Sequence, residues 1–185
     1  MKRFLLLFLA TVVTAWSASA QLSVSQLRTE HLTDPVGIGE RRPLLSWEVS
    51  DASRRGVTQS AYEIRVKSGG RTVWRTGKVA SAESAGVFYD GTPLTSDTRY
   101  TWQVRVWDDR GKASAWSRPA FWRTGLFDVG EWQARWIEPA VSDDLAAMFR
   151  RTFRVTKPVA EATVYVTAHG IYEASVNGHR VSDDL

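Results

Sequence analysis

Short runs in which apolar and polar residues alternate fill the chain from residue 22 to residue 127. The clearest run, YTWQVRV at residues 100–106, directs aromatic and aliphatic side chains to one side and polar side chains to the other. Residues 44–49 and 61–66 alternate in the same way. A period of two residues is typical of a strand with one buried face, and no stretch keeps the helical period. The pattern therefore predicts an all-β chain.

Turn residues separate these runs. Gly69-Gly70 lies between strands predicted over residues 61–66 and 72–74, where a tight hairpin needs residues that adopt positive φ. The sequence DDRG at residues 108–111 follows the clearest strand, and residues 115–123 are predicted to return beside it. Short strands joined by such turns predict a two-sheet antiparallel sandwich.

Tyr100 lies at the start of the clearest strand, a few residues after Leu94. This is the arrangement of a tyrosine corner, in which the phenol oxygen of a buried tyrosine bonds to the chain a few residues upstream. With Trp47 in an early strand, Trp102 beside Tyr100 and Trp116 in the last strand, the pattern resembles a fibronectin type III domain. We assign structural roles to Trp47, Tyr100, Trp102 and Trp116.

The chain contains nine tryptophans, and exposed indoles can stack on sugar rings. Alternation places Trp47 and Trp102 in the core, whereas it allows Trp107 and Trp122 to face outward. Packing in the cores of two small sandwiches accounts for most of these side chains. We therefore favour core packing over a carbohydrate-binding platform.

A second unit is predicted after a linker at residues 125–130. Strand-like runs occupy residues 147–155 and 163–168, and Asn177-Gly178 is a strong signal for a type I′ hairpin. A closed sandwich needs more strands than these, and open edges and an uncovered apolar face are unfavourable. We expect residues 21–127 to form one complete domain, residues 128–185 to form an incomplete one, and the chain to be the front end of something longer.

The N-terminus has the order of a secretory signal peptide. Lys2 and Arg3 precede an apolar run at residues 4–13, and the small residues Ala18-Ser19-Ala20 follow. The run is too short for a membrane-spanning helix, which needs about 20 apolar residues. The sequence thus predicts a signal peptide over residues 1–20, cleavage after Ala20, a mature chain without a membrane span, and a periplasmic or extracellular location.

The chain has no cysteine, which excludes disulfides, a thiolate zinc site and a cysteine nucleophile. Its formal net charge is +4, and the predicted signal peptide holds two of the positive charges and no acidic residue. Arginines are scattered along the predicted strands and form no concentrated basic patch of the kind that binds nucleic acid. We expect no nucleic-acid partner and interpret these charges as solvated strand faces.

The sequence offers no defensible catalytic or metal site. The histidines, His31, His169 and His179, are far apart and lack metal-ligand spacing. Adjacent acids occur at residues 108–109, 143–144 and 183–184, but glycoside hydrolysis needs two carboxyl groups on opposite sides of one cleft. Neighbouring acids in a turn point in different directions, so we expect turn-forming roles for them.

A broader resemblance covers the whole mature sequence. The motifs that carry it are LRTEHL at residues 27–32, PVGI at 35–38, PLLSW at 43–47, QSAYEIRV at 59–66, WRTGKV at 74–79, YTWQVRVWD at 100–108, WS at 116–117, WQARWI at 132–137 and GIYEASVNG at 170–178. Each motif is weak alone, but their order and spacing are specific. The chain resembles the N-terminal region of bacterial α-L-rhamnosidases, a family of glycoside hydrolases.

The resemblance implies a fibronectin-like domain followed by the start of a jelly-roll β-sandwich, with the catalytic acids in a later helical barrel. It implies that the full-length parent acts on rhamnose-containing glycans, that this chain alone is inactive, and that it needs no cofactor. Some family members bind rhamnose with calcium through the second module, so the resemblance makes calcium a candidate ligand of the complete second module only. Asn177 is our weak candidate for a carbohydrate contact. The alternative is a free-standing secreted β-sandwich that binds a carbohydrate or a protein.

Overall fold

The computed structural model describes residues 22–140 and 146–181, so the predicted signal peptide, its cleavage site at Ala20 and two of the acidic pairs lie outside the described residues. The chain divides into two units between Ala134 and Arg135. Within the described ranges, no helix is long and apolar enough to cross a membrane.

Two sheets form the first unit. Its strands among the described residues are β1 (Ser23–Thr29), β2 (Val36–Ile38), β3 (Leu44–Ser50), β4 (Gln59–Ser68), β5 (Arg71–Arg75), β6 (Val87–Phe88), β7 (Arg99–Asp108) and β8 (Ala120–Thr124), and a 3₁₀ turn covers Val129–Glu131. One sheet has the order β1-β3-β6 and the other the order β2-β8-β7-β4-β5. Strand β2 runs parallel to β8, and the other pairs are antiparallel.

The core lies between the two sheets. Ile64 and Val66 of β4 and Val104 and Val106 of β7 are fully buried, as alternation along these strands requires. Burial of each such side chain contributes about 1.5–3 kcal/mol. Trp47 meets the ring of Tyr62 edge-on from the opposite sheet, with 5.3 Å between the ring centroids. The all-β, fibronectin type III-like antiparallel sandwich that the sequence predicts is confirmed.

Both predicted tight hairpins are present. Gly69 and Gly70 join β4 to β5 with φ values of 53° and 79°. In the second unit, Asn177 and Gly178 have φ values of 53° and 82° and join β9 (Ser175–Val176) to β10 (His179–Arg180). Positive φ at both central residues is the geometry of a type I′ turn, whose twist matches that of the flanking strands.

The last strand of the sandwich is shorter than predicted. The sequence indicates a strand over residues 115–123, but β8 begins at Ala120. Before it, the hydroxyls of Ser114 and Ser117 accept hydrogen bonds from the backbone N–H groups of Val106 and Val104, at 3.0 and 3.1 Å. Side-chain oxygens thus take the place of backbone carbonyls along this part of β7, so the segment follows the strand without forming a regular ladder.

Trp122 is a second correction. The sequence allows it to face outward, but it is fully buried. Its position lies opposite Tyr100 in the β7–β8 register, and paired residues share one side of a sheet. The two rings therefore stack in the core, with 5.3 Å between their centroids and 16° between their planes.

The second unit contains fewer paired strands than predicted. Among its described residues, the β9–β10 hairpin is the regular pairing, and residues 147–155 and 163–168 form no ladder. Alternation marks a segment that can form a strand, but the strand itself requires hydrogen bonds to a neighbour. In the hairpin, each strand pairs with one that lies a few residues away along the chain. The two longer segments need partner strands that are distant in the sequence.

Candidate functional site

Of the four residues predicted to have structural roles, three lie in the core and one lies on the outer side of the five-stranded sheet. Trp47 and Trp102 are buried in the core, with 3% and 1% of their surfaces exposed. Tyr100 is also buried, and its phenol oxygen accepts a hydrogen bond from the Thr95 backbone N–H at 2.9 Å. Trp116 instead lies half-buried on the outer side of the five-stranded sheet, where it contacts arginine side chains.

Asn177, the weak carbohydrate candidate, lies at the tip of the β9–β10 hairpin. Its positive φ suits asparagine better than most residues, so the turn itself accounts for its presence. Elsewhere in the same unit, the rings of Trp136 and His169 stack with 4.1 Å between their centroids.

The most deeply buried carboxylate is that of Glu63, on the outer side of β4. Its side chain is 3% exposed, and it accepts hydrogen bonds from Arg75 Nε at 2.6 Å and from Arg105 Nε at 2.8 Å. Burial raises the pKa of Glu63, but these bonds and the two positive charges outweigh burial and hold the pKa below its usual range. Glu63 is thus a fixed anion, which makes it a poor general acid.

The carboxylate of Asp108 is engaged in a similar way. Its Oδ1 accepts hydrogen bonds from the backbone N–H groups of Arg110 and Lys112, at 3.0 and 2.7 Å. Its Oδ2 accepts one from Arg54, which also binds Asp109 at 2.9 Å. These bonds close the turn after β7, as expected from the sequence for adjacent acids.

A cavity of about 250 Å³ lies beside Arg42, Tyr89 and Asp90. Asp90 is the single acidic residue that lines it, and it forms an ion pair with Arg42 at 3.0 Å. A glycosidase site needs two carboxyl groups across a cleft, so this cavity does not supply that chemistry. In the described part of the chain, no group of three His, Cys, Asp or Glu side chains is placed to hold a metal ion.

Alternating cations and indoles form a stack on the outer side of the five-stranded sheet. We call it the cation–indole stack, and its members are Lys78, Trp107, Arg105, Trp116 and Arg65. Each successive cation lies 4.2–5.0 Å from an indole centroid, within the range of cation–π attraction. The stack ties the irregular segment before β8 to β4 and β7.

The same side of the sheet gathers most of its strands' positive charge. Register and stacking place seven described cations there, and we call them the basic face: Arg65, Lys67, Arg75, Lys78, Arg99, Arg105 and Arg123. The expectation that arginines stay scattered is wrong for this surface. Members of one strand are separated by an even number of residues, as Arg65 and Lys67 or Arg99 and Arg105 are, so they look dispersed along the chain but project from the same side.

The segment after β8 is fastened to the first unit. Glu131 Oε2 accepts hydrogen bonds from Ser96 Oγ at 2.6 Å and from the backbone N–H groups of Phe127 and Asp128 at 2.9 and 3.0 Å. The bond from Ser96, with those from the backbone, lowers the pKa of Glu131 despite a small opposing effect of desolvation. Arg41 adds an ion pair to Asp128 at 3.1 Å.

The fold and these contacts define a class. The first unit is an immunoglobulin-like β-sandwich whose buried acids, Glu63 and Asp108, serve ion pairs and a turn, and whose five-stranded sheet has a basic and aromatic outer side.

Comparison with known proteins identifies the family. The family described as "Rha78A-like, N-terminal immunoglobulin domain" matches residues 24–128, and the family described as "Alpha-L-rhamnosidase N-terminal domain" matches residues 157–185. The chain belongs to the α-L-rhamnosidase family and corresponds to the N-terminal region of its members.

Curated relatives extend the match along most of the chain. An α-L-rhamnosidase of Streptomyces avermitilis is 37% identical over 190 residues, which cover 87% of this chain and 18% of the relative. One of Alteromonas sp. is 33% identical and covers 83% of this chain and 18% of the relative. This chain therefore spans about a fifth of the length of these relatives.

Solved structures agree. The Streptomyces avermitilis α-L-rhamnosidase complexed with L-rhamnose superimposes with a TM-score of 0.62 at 43% identity, over 65% of this chain and 12% of that one. The α-L-rhamnosidase from Dictyoglumus thermophilum gives a TM-score of 0.59 at 33% identity, over 63% of this chain and 14% of that one.

Proposed function

We propose that this chain is a non-catalytic N-terminal part of an exported α-L-rhamnosidase. The observation that carries the proposal is the continuous match to the start of the family, which covers 87% of this chain but 18% of the Streptomyces avermitilis relative. The reaction is the hydrolysis of terminal L-rhamnose from glycans, and the reacting groups belong to the rest of such an enzyme.

The acids of the described residues support the non-catalytic part of the proposal. Glu63 is held as an anion by two arginines, and Asp108 closes a turn. A glycoside hydrolase needs one carboxyl group to donate a proton and another to act as base or nucleophile, about 5–10 Å apart across a cleft. Glu63 and Asp108 are instead engaged by arginine side chains and by backbone N–H groups.

Export and domain division belong to the same proposal. The order of charged, apolar and small residues before Gln21 supports cleavage after Ala20 and a periplasmic or extracellular location. We assign residues 21–127 to the fibronectin type III-like domain and residues 128–185 to the rhamnosidase N-terminal module. Rhamnose-containing glycans are then the substrates of the whole enzyme.

A domain exchange tests this proposal. In the Streptomyces avermitilis relative, the N-terminal region is replaced by residues 21–185 of this chain, and hydrolysis of p-nitrophenyl α-L-rhamnopyranoside is measured. We expect the chimera to keep activity well above that of a matched variant from which the N-terminal region is deleted. A folded chimera that is no more active than the deletion variant contradicts the proposal.

A further inference from the structure

The basic face carries more positive charge than its ion pairs neutralise. Glu63 binds Arg75 and Arg105, and Asp97 binds Arg123. Among the residues that the structure describes, the other cations of the face, Arg65, Lys67, Lys78 and Arg99, have no ion-pair partner. The surface therefore presents a net positive field to solvent.

The register places like charges side by side on this face. Arg65 lies directly opposite Arg75, and Arg99 lies directly opposite Arg123. Like charges in cross-strand positions are destabilising. Two such pairs on one face of a small sandwich oppose folding, and an anionic ligand would relieve the repulsion.

The stack holds three cations of the basic face, Arg65, Lys78 and Arg105, in fixed positions. Arg65 donates two hydrogen bonds to Gln103 Oε1, at 3.1 and 2.7 Å, and Arg105 binds Glu63 while contacting both indoles. Arginines fixed in this way lose little side-chain entropy when they bind a ligand. The face is preorganised.

The face also shows which anion it suits. Glu63 is a carboxylate held between two guanidinium groups, so the surface already contains one instance of the contact it would make with a ligand. The face follows β7 from Arg99 to Arg105, about 20 Å at 3.3 Å per residue, which is long enough for a polymer. The rings of Trp107 and Trp116 already contact cations, which leaves them poorly suited to stack nucleic-acid bases.

We propose that the basic face binds a linear polysaccharide that carries carboxylate groups. Its cations contact the carboxylates, and the cation–indole stack holds three of them, Arg65, Lys78 and Arg105, in register. The choice of a glycan over a nucleic acid rests on the proposed function as part of an exported glycan-degrading enzyme. The binding itself does not require rhamnosidase activity.

Binding of the purified chain to polygalacturonate tests the proposal, by titration calorimetry at two ionic strengths. The test variant is Lys67→Glu with Arg99→Glu, two exposed cations outside the ion pairs. The control variant is Arg28→Glu with Arg55→Glu, which has the same change in net charge on exposed residues of β1 and the β3–β4 loop. Circular dichroism and thermal melting check that each variant is folded.

We expect the test variant to bind polygalacturonate about tenfold more weakly or worse, and the control to change by less than about twofold, because local charge complementarity decides such contacts. Binding should weaken with added salt, since screening shortens the reach of charge to about 3 Å at 1 M. Neutral dextran should not bind. A neutralising pair, Lys67→Gln with Arg99→Gln, should give an intermediate loss if the reversed pair fails to fold.

Three results would overturn the proposal. One is no binding of polygalacturonate by the unmodified chain. Another is an equal loss of affinity for polygalacturonate in the test and control variants, which would show that net charge alone determines binding. The third is tighter binding of a single-stranded oligonucleotide or of dextran sulfate at the same ionic strength. Because the readout is binding, these results are independent of whether the domain exchange retains rhamnosidase activity.

Discussion

The backbone N–H of Thr95 donates a hydrogen bond to the phenol oxygen of Tyr100, five residues further along the chain, at 2.9 Å. The Tyr100 ring stacks on Trp122 in the core, so the bond fixes the loop before β7 to the centre of the sandwich. The bond is part-buried, and removal of the phenol oxygen leaves the Thr95 N–H without this acceptor.

Replacing Tyr100 with Phe should therefore lower the free energy of unfolding by about 1–3 kcal/mol. Tyr62→Phe is the matched control, since Tyr62 is a core tyrosine whose hydroxyl makes no hydrogen bond to the described residues. Urea denaturation of both variants measures the difference. If Tyr100→Phe lowers the free energy of unfolding no more than the control does, this hydrogen bond does not stabilise the sandwich.

Ser114 and Ser117 give a second prediction. Because their hydroxyls satisfy the N–H groups of Val106 and Val104, Ser117→Ala leaves a buried donor without its partner. We expect it to lower the free energy of unfolding by about 1–3 kcal/mol. Ser25→Ala, at an exposed position on β1, should have little effect. Comparable stabilities of the two variants would show that water satisfies the freed group.

Glu63 gives a prediction about pH. Because its pKa is lower in the folded chain than in the unfolded one, its contribution to stability is present above the unfolded value of about 4.3 and is lost as the pH falls through the folded value. Glu63→Gln should cost about 1–3 kcal/mol at neutral pH, less than a fully buried pair since Arg75 is 61% exposed.

The stability difference between the unmodified chain and Glu63→Gln should thus shrink as the pH falls below 4. Unfolding curves at a series of pH values measure it, with Glu48→Gln, at an exposed position on β3, as the control. A difference that stays constant down to the lowest accessible pH would be inconsistent with an ionised Glu63 in this ion-pair cluster.

Glu131 gives a prediction about local dynamics. Its carboxylate accepts hydrogen bonds from the backbone N–H groups of Phe127 and Asp128, so Glu131→Ala should speed hydrogen exchange at these two amides.

The same bonds predict a pH dependence. Because the pKa of Glu131 is lowered by its hydrogen bonds, protection of the two amides from exchange in the unmodified chain should persist above the pKa of the unfolded chain and fade as the pH falls through the pKa of the folded chain. Glu40→Gln, at an exposed position, is the control, and unchanged exchange in Glu131→Ala would refute the role.

How far the sequence predicts the structure depends on the range of each interaction. Alternation over residues 100–106 correctly predicts which side of β7 faces the core, and Gly69-Gly70 predicts its hairpin, because both signals are local. Alternation alone leaves the side of Trp122 open, since that side depends on its pairing with Tyr100.

The candidate surface shows the same limit. Glu63, Arg75 and Arg105 are separated by up to 42 residues, and the β4–β7 and β4–β5 registers bring them together. The sequence shows the individual cations of β4, β5, β7 and β8, but their meeting on one side follows from the strand order and register. Nothing local reveals that Ser114 and Ser117 serve as backbone substitutes, since serines in turns are common.

The most direct test of the central claim is a rhamnosidase assay of the purified chain alone. We expect no hydrolysis of p-nitrophenyl α-L-rhamnopyranoside above the buffer background, because the described carboxylates at Glu63 and Asp108 are committed to ion pairs and a turn. Turnover that disappears in Glu63→Gln or in Asp108→Asn would contradict this and place the catalytic groups within these residues.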